Sequence, residues 1–215
     1  KMPSAQVNVG FKTTADQPCD GGKDCPSAPF TDVDTAKWYH LSVDYVLTHK
    51  MMNGVSSRAF APNANLTRGM LVQILYNFVG GPEVSGETPF TDLTANWYKD
   101  AVLWAYQTGV TSGTSETTFS PNDPVTREQI AVILTQYMFH VLKMERTWTP
   151  ADLSTFPDGA QVSSWAKEAM QDAVALGLIN GTKASDGVVY LDPQGSAARQ
   201  QVATILMNFC QNVKK

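Results

Sequence analysis

Apolar residues recur in two alternating helical registers along this chain. Trp97, Ala101, Trp104 and Ala105 fall at i, i+4, i+7 and i+8, and Trp165, Ala169, Ala173 and Leu176 follow a similar order. This spacing predicts a short helix starting near each of Trp38, Trp97 and Trp165, with the Trp on its core side. A second pattern starts just before Arg68, Arg127 and Arg199, and its apolar positions correspond without a gap. Leu71, Ile130 and Val202 align, then Ile74, Ile133 and Ile205, then Leu75, Leu134 and Leu206, then Phe78, Tyr137 and Phe209. Offsets of +3, +4 and +7 draw one apolar face on each of these helices.

The residues between the helices supply stops and starts. Asn53-Gly54, Ser112-Gly113 and Asn180-Gly181 are predicted to end the first helices, because they tolerate positive φ. Thr126 with Gln129 forms a capping box at the second helix, and Thr67 caps without the box. Ala198 has no side-chain acceptor, so Ser196 is expected to take its place. Phe60-Ala61-Pro62-Asn63 and Phe119-Ser120-Pro121-Asn122, with Leu191-Asp192-Pro193-Gln194, each force a turn before the second helix.

These features belong to a unit repeated three times. Pro29-Phe30-Thr31-Asp32-Val33 recurs as Pro89-Phe90-Thr91-Asp92-Leu93 and, more weakly, as Phe156-Pro157-Asp158. Trp to Gly is 16 residues in each copy (Trp38–Gly54, Trp97–Gly113, Trp165–Gly181), Pro to Arg is 6, and Arg to Leu is 7. The units span residues 30–81, 90–142 and 156–214, after a lead-in of residues 1–29 that matches none of them. No single unit hides its apolar face alone. The expected fold is therefore all-α, with three helix-loop-helix repeats arranged as a pseudo-threefold trimer around a central bundle of the three second helices. The third unit carries an insertion around Lys183-Ala184-Ser185-Asp186-Gly187, which could lie across a groove.

The order Phe-Thr-Asp-Val, Trp-Tyr, Gly, Phe-x-Pro-Asn, Thr-Arg in tandem copies resembles surface-layer homology (SLH) repeats of bacterial envelope proteins. The resemblance covers about residues 30–213. It implies grooves between neighbouring units that bind secondary cell-wall polysaccharide linked to peptidoglycan, often bearing pyruvylated sugars. It further implies an exported protein held on a Gram-positive-type wall. A Thr-Arg-Ala-Glu-like motif supplies the basic contact in that family. Here it reads Thr67-Arg68-Gly69-Met70, Thr126-Arg127-Glu128-Gln129 and Ala198-Arg199-Gln200-Gln201.

The glycan-binding candidates are thus Arg68, Arg127 and Arg199, Trp38, Trp97 and Trp165, and Gly54, Gly113 and Gly181. An Arg fork can grip a pyruvyl carboxylate, and free N–H groups at the helix start would add to the attraction. A stacked aromatic would hold a pyranose face, and Gly would let a sugar approach the backbone. Ranked by motif quality, Arg127 precedes Arg68, and Arg68 precedes Arg199. The alternative for each Arg is architecture, through a carboxylate of the neighbouring unit. For each Trp, packing is the main task, with an edge left for ligand. Asp32, Asp92 and Asp158 read as braces of a turn.

Composition narrows the classes that remain. Sixteen Lys+Arg against 20 Asp+Glu give a net charge of −4 over 215 residues, without a basic stripe, which argues against nucleic acid. Apolar runs fall short of the ~20 residues that span a bilayer, so no membrane insertion is expected, and self-association is expected only within a surface layer. Lys1 in place of Met reads as the start of a processed or excised piece. Of the histidines, His40 stands at i, i+4 from Asp44, with no third ligand placed by spacing. Asp32-Val33-Asp34 resembles a calcium loop only faintly, since Ala36 and Lys37 occupy key positions. No nucleophile elbow, phosphate loop or His-Glu-x-x-His is present. The expectation is a non-catalytic wall anchor without metal or cofactor, the rivals being a protein–protein docking module for envelope proteins and a sugar-active enzyme.

Cys19 and Cys25 close a short polar loop and read as a disulfide rather than a zinc site, with free thiols the alternative. Cys210 lies on an apolar helix face. Thiol titration of the denatured, unreduced chain is expected to return one thiol, from Cys210. Three thiols would remove the argument for an oxidising exterior.

Overall fold

A computed structural model describes residues 21–213, and the protein is mostly helical. Among the described residues six α-helices follow in order: α1 (His40–Thr48), α2 (Arg68–Phe78), α3 (Lys99–Gln107), α4 (Arg127–His140), α5 (Lys167–Ala175) and α6 (Arg199–Asn212). Each unit contributes one short and one longer helix. The insertion in the third unit departs from a purely helical plan. It folds into a hairpin of two-residue strands, β1 (Thr182–Lys183) and β2 (Val189–Tyr190), paired antiparallel.

The close helix packings run between units: α2 against α3, α4 against α5, and α6 against α1. Each second helix thus rests on the first helix of the following unit, and the last rests on the first. The predicted apolar face of the second helices is buried. Leu71, Ile130 and Val202 are fully buried, Ile74, Ile133, Ile205, Leu75, Leu134 and Leu206 nearly so, and Tyr137 and Phe209 meet edge to face at 5.8 Å.

Backbone hydrogen bonds follow the same cycle. Leu66 N–H donates to Ala197 O at 3.0 Å, Ala197 N–H to Val125 O at 2.9 Å, and Val125 N–H to Leu66 O at 2.9 Å. The three residues preceding the second helices therefore close a ring of donors and acceptors, sealed from water at residues 0–1% exposed.

The turn before each second helix is held by one carboxylate. Asp32 accepts from the amides of Phe60 and Ala61 at 2.9 and 2.7 Å, Asp92 from Phe119 and Ser120 at 3.0 and 2.7 Å, and Asp158 from Leu191 and Asp192 at 2.9 and 2.7 Å. These aspartates brace turns, as the sequence suggests. The turns need bracing because Ala61, Ser120 and Asp192 adopt left-handed backbone at φ 57°, 57° and 48°.

Three local expectations require correction. The tryptophans are not on the core side: Trp38, Trp97 and Trp165 are 64%, 50% and 59% exposed. Trp97 and Trp165 sit in single 3-10 turns (Asn96–Tyr98 and Ser164–Ala166) before the α-helix begins. The tighter turn shifts the phase, so the next residue, Tyr98 or Ala166, points inward instead. Gly54, Gly113 and Gly181 do not stop the first helices. The left-handed positions just past those helices are Lys50, Gly109 and Gly177, four residues earlier. Gly113 is instead a point of close approach, where the Phe90 ring fills the space a Cβ would need. Ser196 does not cap α6. Gln201 accepts the Ala198 amide with its side chain, while Ser196 bridges to Thr126.

The two Thr caps agree with the sequence: Thr126 forms a reciprocal box with Gln129, and Thr67 accepts from Met70 N–H alone. The linker after α4 is anchored through fully buried Asp172 of α5, which accepts from Arg146 Nη2 at 2.6 Å and Trp148 Nε1 at 2.9 Å.

Left-handed strain at a residue without a functional side chain is directly testable. Ala61→Gly is expected to stabilise the protein by about 0.5–1 kcal/mol, because Asp32 already fixes the turn and Gly removes the Cβ penalty. Urea denaturation measures it. An unchanged or lower midpoint would mean that the turn is unstrained.

Candidate functional site

Each second helix begins with a buried Arg whose side chain crosses to the next unit. Arg68 Nε donates to Phe119 O at 2.9 Å, Arg127 Nε to Leu191 O at 2.6 Å, and Arg199 Nε to Phe60 O at 2.8 Å. Arg199 also gives Nη2 to Asn53 O at 2.6 Å. Each Nε acceptor is the carbonyl of the turn residue whose amide the Asp clamp holds. The Arg68 and Arg199 guanidinium carbons also lie over the Phe119 and Phe60 rings at 4.8 and 4.7 Å, while Leu191 denies Arg127 that contact. Burial lowers all three guanidinium pKa values, that of Arg68 to about 10, against the attraction of nearby aspartates. All remain charged at neutral pH.

The architectural alternative anticipated a carboxylate partner. Among the described residues none of these arginines is in a direct ion pair. The carbonyl takes that place, and the aspartate stands on the far side of the same turn.

The helix starts are also occupied. In α2 the amides of Arg68 and Gly69 donate to Asp123 O and Pro121 O at 3.0 and 2.8 Å. In α4 those of Arg127 and Glu128 donate to Gly195 O and Pro193 O, and in α6 those of Arg199 and Gln200 donate to Ala64 O and Pro62 O. The free N–H groups expected to attract an anion are therefore spent on the neighbouring unit.

A groove of about 930 Å³ stays open among the described residues, and three units contribute to it. It brings together Arg68 of the first unit, Gly113 of the second and Trp165 of the third. Tyr106, Gln107, Gln129 and Gln136 line it beside the hydroxyl-bearing Thr111, Ser112 and Thr114. Among the described residues that line it, Arg68 is the one with a formal charge and none is a carboxylate. A cleft of amides, hydroxyls and aromatic edges suits a polyhydroxylated ligand. Trp38, Trp97, Arg127, Arg199, Gly54 and Gly181 are not among its lining residues. The space beside Gly54 is taken by the Phe30 ring and that beside Gly181 by Val189.

Several groove residues were not singled out from sequence as ligand contacts. Gln129, Ile133 and Gln136 share a helix face at i, i+4 and i+7, a polar-edged stripe that the periodicity contains. Glu128 left a weaker trace, since the equivalent positions are Gly69 and Gln200. It is 4% exposed and accepts from Ser163 N–H and Oγ–H at 3.0 and 2.9 Å, which fixes the turn carrying Trp165. Of the cysteines, Cys25 is buried and disulfide-bonded and Cys210 is free, while Cys19 lies outside the described residues.

The family model described as the S-layer homology domain matches residues 29–69, 89–131 and 155–186. The third match stops inside the hairpin insertion. Among curated relatives, an endoglucanase of Bacillus sp. (strain KSM-635) is 28% identical over 178 residues, covering 83% of this chain and 18% of that protein. A surface-layer 125 kDa protein of Lysinibacillus sphaericus is 32% identical over 164 residues, 76% of this chain and 13% of its own length. An S-layer protein of Bacillus thuringiensis subsp. finitimus is 27% identical over 156 residues, 72% of this chain and 18% of its own. The chain thus spans less than a fifth of each of these relatives.

The Glu128 brace makes a prediction that does not depend on any ligand. Glu128→Ala should destabilise the protein by about 1–3 kcal/mol by leaving the Ser163 amide unsatisfied. Amide exchange at Ser163 should accelerate roughly tenfold or more. Unchanged protection at Ser163 would show that the carboxylate does not hold this turn.

Proposed function

The chain belongs to the S-layer homology domain family, and from that premise we propose that it anchors an exported protein to a bacterial cell surface without catalysis. The partner in this reading is a secondary cell-wall polysaccharide of a Gram-positive-type wall, bound in the groove between units. The architecture that goes with it is a pseudo-threefold trimer of repeats, with α2, α4 and α6 as the central bundle. The closed ring through Leu66, Val125 and Ala197 supports that arrangement, as does the cyclic order of the helix packings.

The observation that carries the reading is the groove itself, where one cation, Arg68, meets an exposed Trp165 across a cleft of neutral polar groups. With Nε committed to Phe119 O, the guanidinium is pre-oriented, and its remaining edge can meet a single carboxylate by charge-assisted hydrogen bonds. Trp165 supplies a flat apolar wall for a sugar ring. This changes the order taken from motif quality: Arg68 stands at the open groove and moves ahead of Arg127.

Truncating Arg68 would also unpin Phe119 O, so Trp165→Ala is the cleaner probe. At 59% exposure its loss should alter stability by no more than about 0.5 kcal/mol. Affinity for a short soluble wall-polymer fragment should fall about tenfold, or ~1.4 kcal/mol. Calorimetry measures this, and polymer stripped of acidic substituents should bind more weakly by a similar factor. Undiminished binding in both experiments would sink the anionic-sugar model.

The exposed Trp38, Trp97 and Trp165 also favour a second reading, docking to another envelope protein, since exposed aromatics are characteristic of protein interfaces. Sedimentation with protein-free wall sacculi separates the two, because only the polysaccharide anchor co-sediments.

A further inference from the structure

Asn53 and Gly54 follow α1 in the first unit, where the second unit places the groove residues Ser112 and Gly113. Asn53 is exposed, and among the described residues its side chain makes no hydrogen bond. The Gly54 amide has no acceptor there either. Gly113 N–H donates to Thr111 Oγ at 3.2 Å, but the matching residue in the first unit is Met52, which has no side-chain oxygen. Packing imposes glycine at position 54, because a Cβ would run into the Phe30 ring and Ser56 O. The fold thus requires an Asn-Gly pair whose reacting groups are both untied.

A contact from the third unit makes this pair reactive. Arg199 donates Nη2 to the Asn53 carbonyl at 2.6 Å. That carbonyl shares its peptide group with the Gly54 nitrogen. When the nitrogen gives up its proton, negative charge spreads to the carbonyl oxygen, and a guanidinium already in place stabilises it. The Gly54 N–H is therefore acidified beside a side-chain amide with which it can close a five-membered ring. The third unit holds an internal control. Asn180-Gly181 is the same dipeptide, but Asn180 Nδ2 is tied to Gly177 O at 3.1 Å. Among the described residues no guanidinium reaches the Asn180 carbonyl, since Arg127 donates to Leu191 O.

We propose that Asn53-Gly54 is a self-modifying site, at which Arg199 promotes conversion of Asn53 to isoaspartate. The Gly54 nitrogen loses its proton to solvent and attacks Asn53 Cγ. The bond from Cγ to Nδ2 breaks, and ammonia leaves with a proton taken from solvent. The resulting succinimide then takes up one water. Attack at the main-chain carbonyl carbon, which Arg199 polarises, breaks its bond to the Gly54 nitrogen. The chain then runs through the former side chain, and the freed carboxylate stands on the carbon that faced Arg199. Overall one water enters and one ammonium ion leaves, so the chain gains one negative charge. A carbonyl contact between the third and first units becomes an ion pair, and the age of the chain is recorded there.

The test incubates the whole folded chain in mildly alkaline buffer. Peptide mapping with mass spectrometry follows both Asn-Gly pairs and separates asparaginyl, aspartyl and isoaspartyl forms. Asn53 should convert about fivefold or more faster than Asn180, chiefly to isoaspartate. In concentrated urea the two rates should converge, because only the shared dipeptide then acts. Arg199→Met removes the donor at similar side-chain length and should slow Asn53 to the rate of Asn180. Equal rates in the folded protein overturn the proposal, as does a lead of Asn53 that persists in urea. An undiminished rate at Asn53 in the folded variant also overturns it. Should the variant fail to fold, the ratio of the two rates in native and urea-unfolded wild type decides.

Discussion

A left-handed turn pinned from both sides is the constraint on which the rest of this structure depends. The amides of Phe60 and Ala61 reach the Asp32 carboxylate of their own unit, and the Phe60 carbonyl receives Arg199 from another. Asp92 with Arg68 repeats the arrangement at Phe119, and Asp158 with Arg127 at Leu191. Opposite charges approach a strongly polarised peptide from its two ends, with the guanidinium buried. Such charge-assisted bonds are roughly twice as strong as neutral ones, which offsets both the backbone strain and the desolvation of the arginine. Because each Arg belongs to a different unit from its turn, local bracing and assembly of the units become one event. An isolated repeat would have a strained turn with a free carbonyl and an apolar helix face without a cover.

The same constraint limits how the protein can meet a ligand. Arginines and helix N-termini are natural anion sites, yet here each Arg commits its Nε, and each second helix its first two amides, to carbonyls of the neighbouring unit. Arg199 gives two of its groups to backbone carbonyls, and Arg127 is not among the residues lining the groove. Arg68 is different in opening onto a groove whose far wall comes from the third unit. Recognition at that groove, as proposed, would inherit its geometry from the inter-unit contacts. Glu128 fixes the Trp165 turn through Ser163, and Phe119 fixes the Arg68 fork, so the ligand would meet a preorganised surface with little ordering cost.

The hydrophobic period and the repeat spacings determined much by themselves: three units, two helices in each, the apolar face of α2, α4 and α6, the Thr67 and Thr126 caps, and the bracing role of the aspartates. Those features are local, or arise from equivalence between copies, and one-dimensional order records both. What only the tertiary structure decided is which unit each side chain serves. Trp97 and Trp165 turned outward because a single 3-10 turn precedes their helices, a phase shift of a fraction of a turn that apolar spacing does not register. Gly113 serves as a seat for Phe90, and the arginines reach across 51, 64 and 139 residues to carbonyls rather than carboxylates. Cys25 joins His40 and Asp44 although spacing along α1 shows only the latter two. A sequence states the chemistry of each side chain, but backbone carbonyls are the same at every position. Partners of that kind are chosen by how the chain closes on itself.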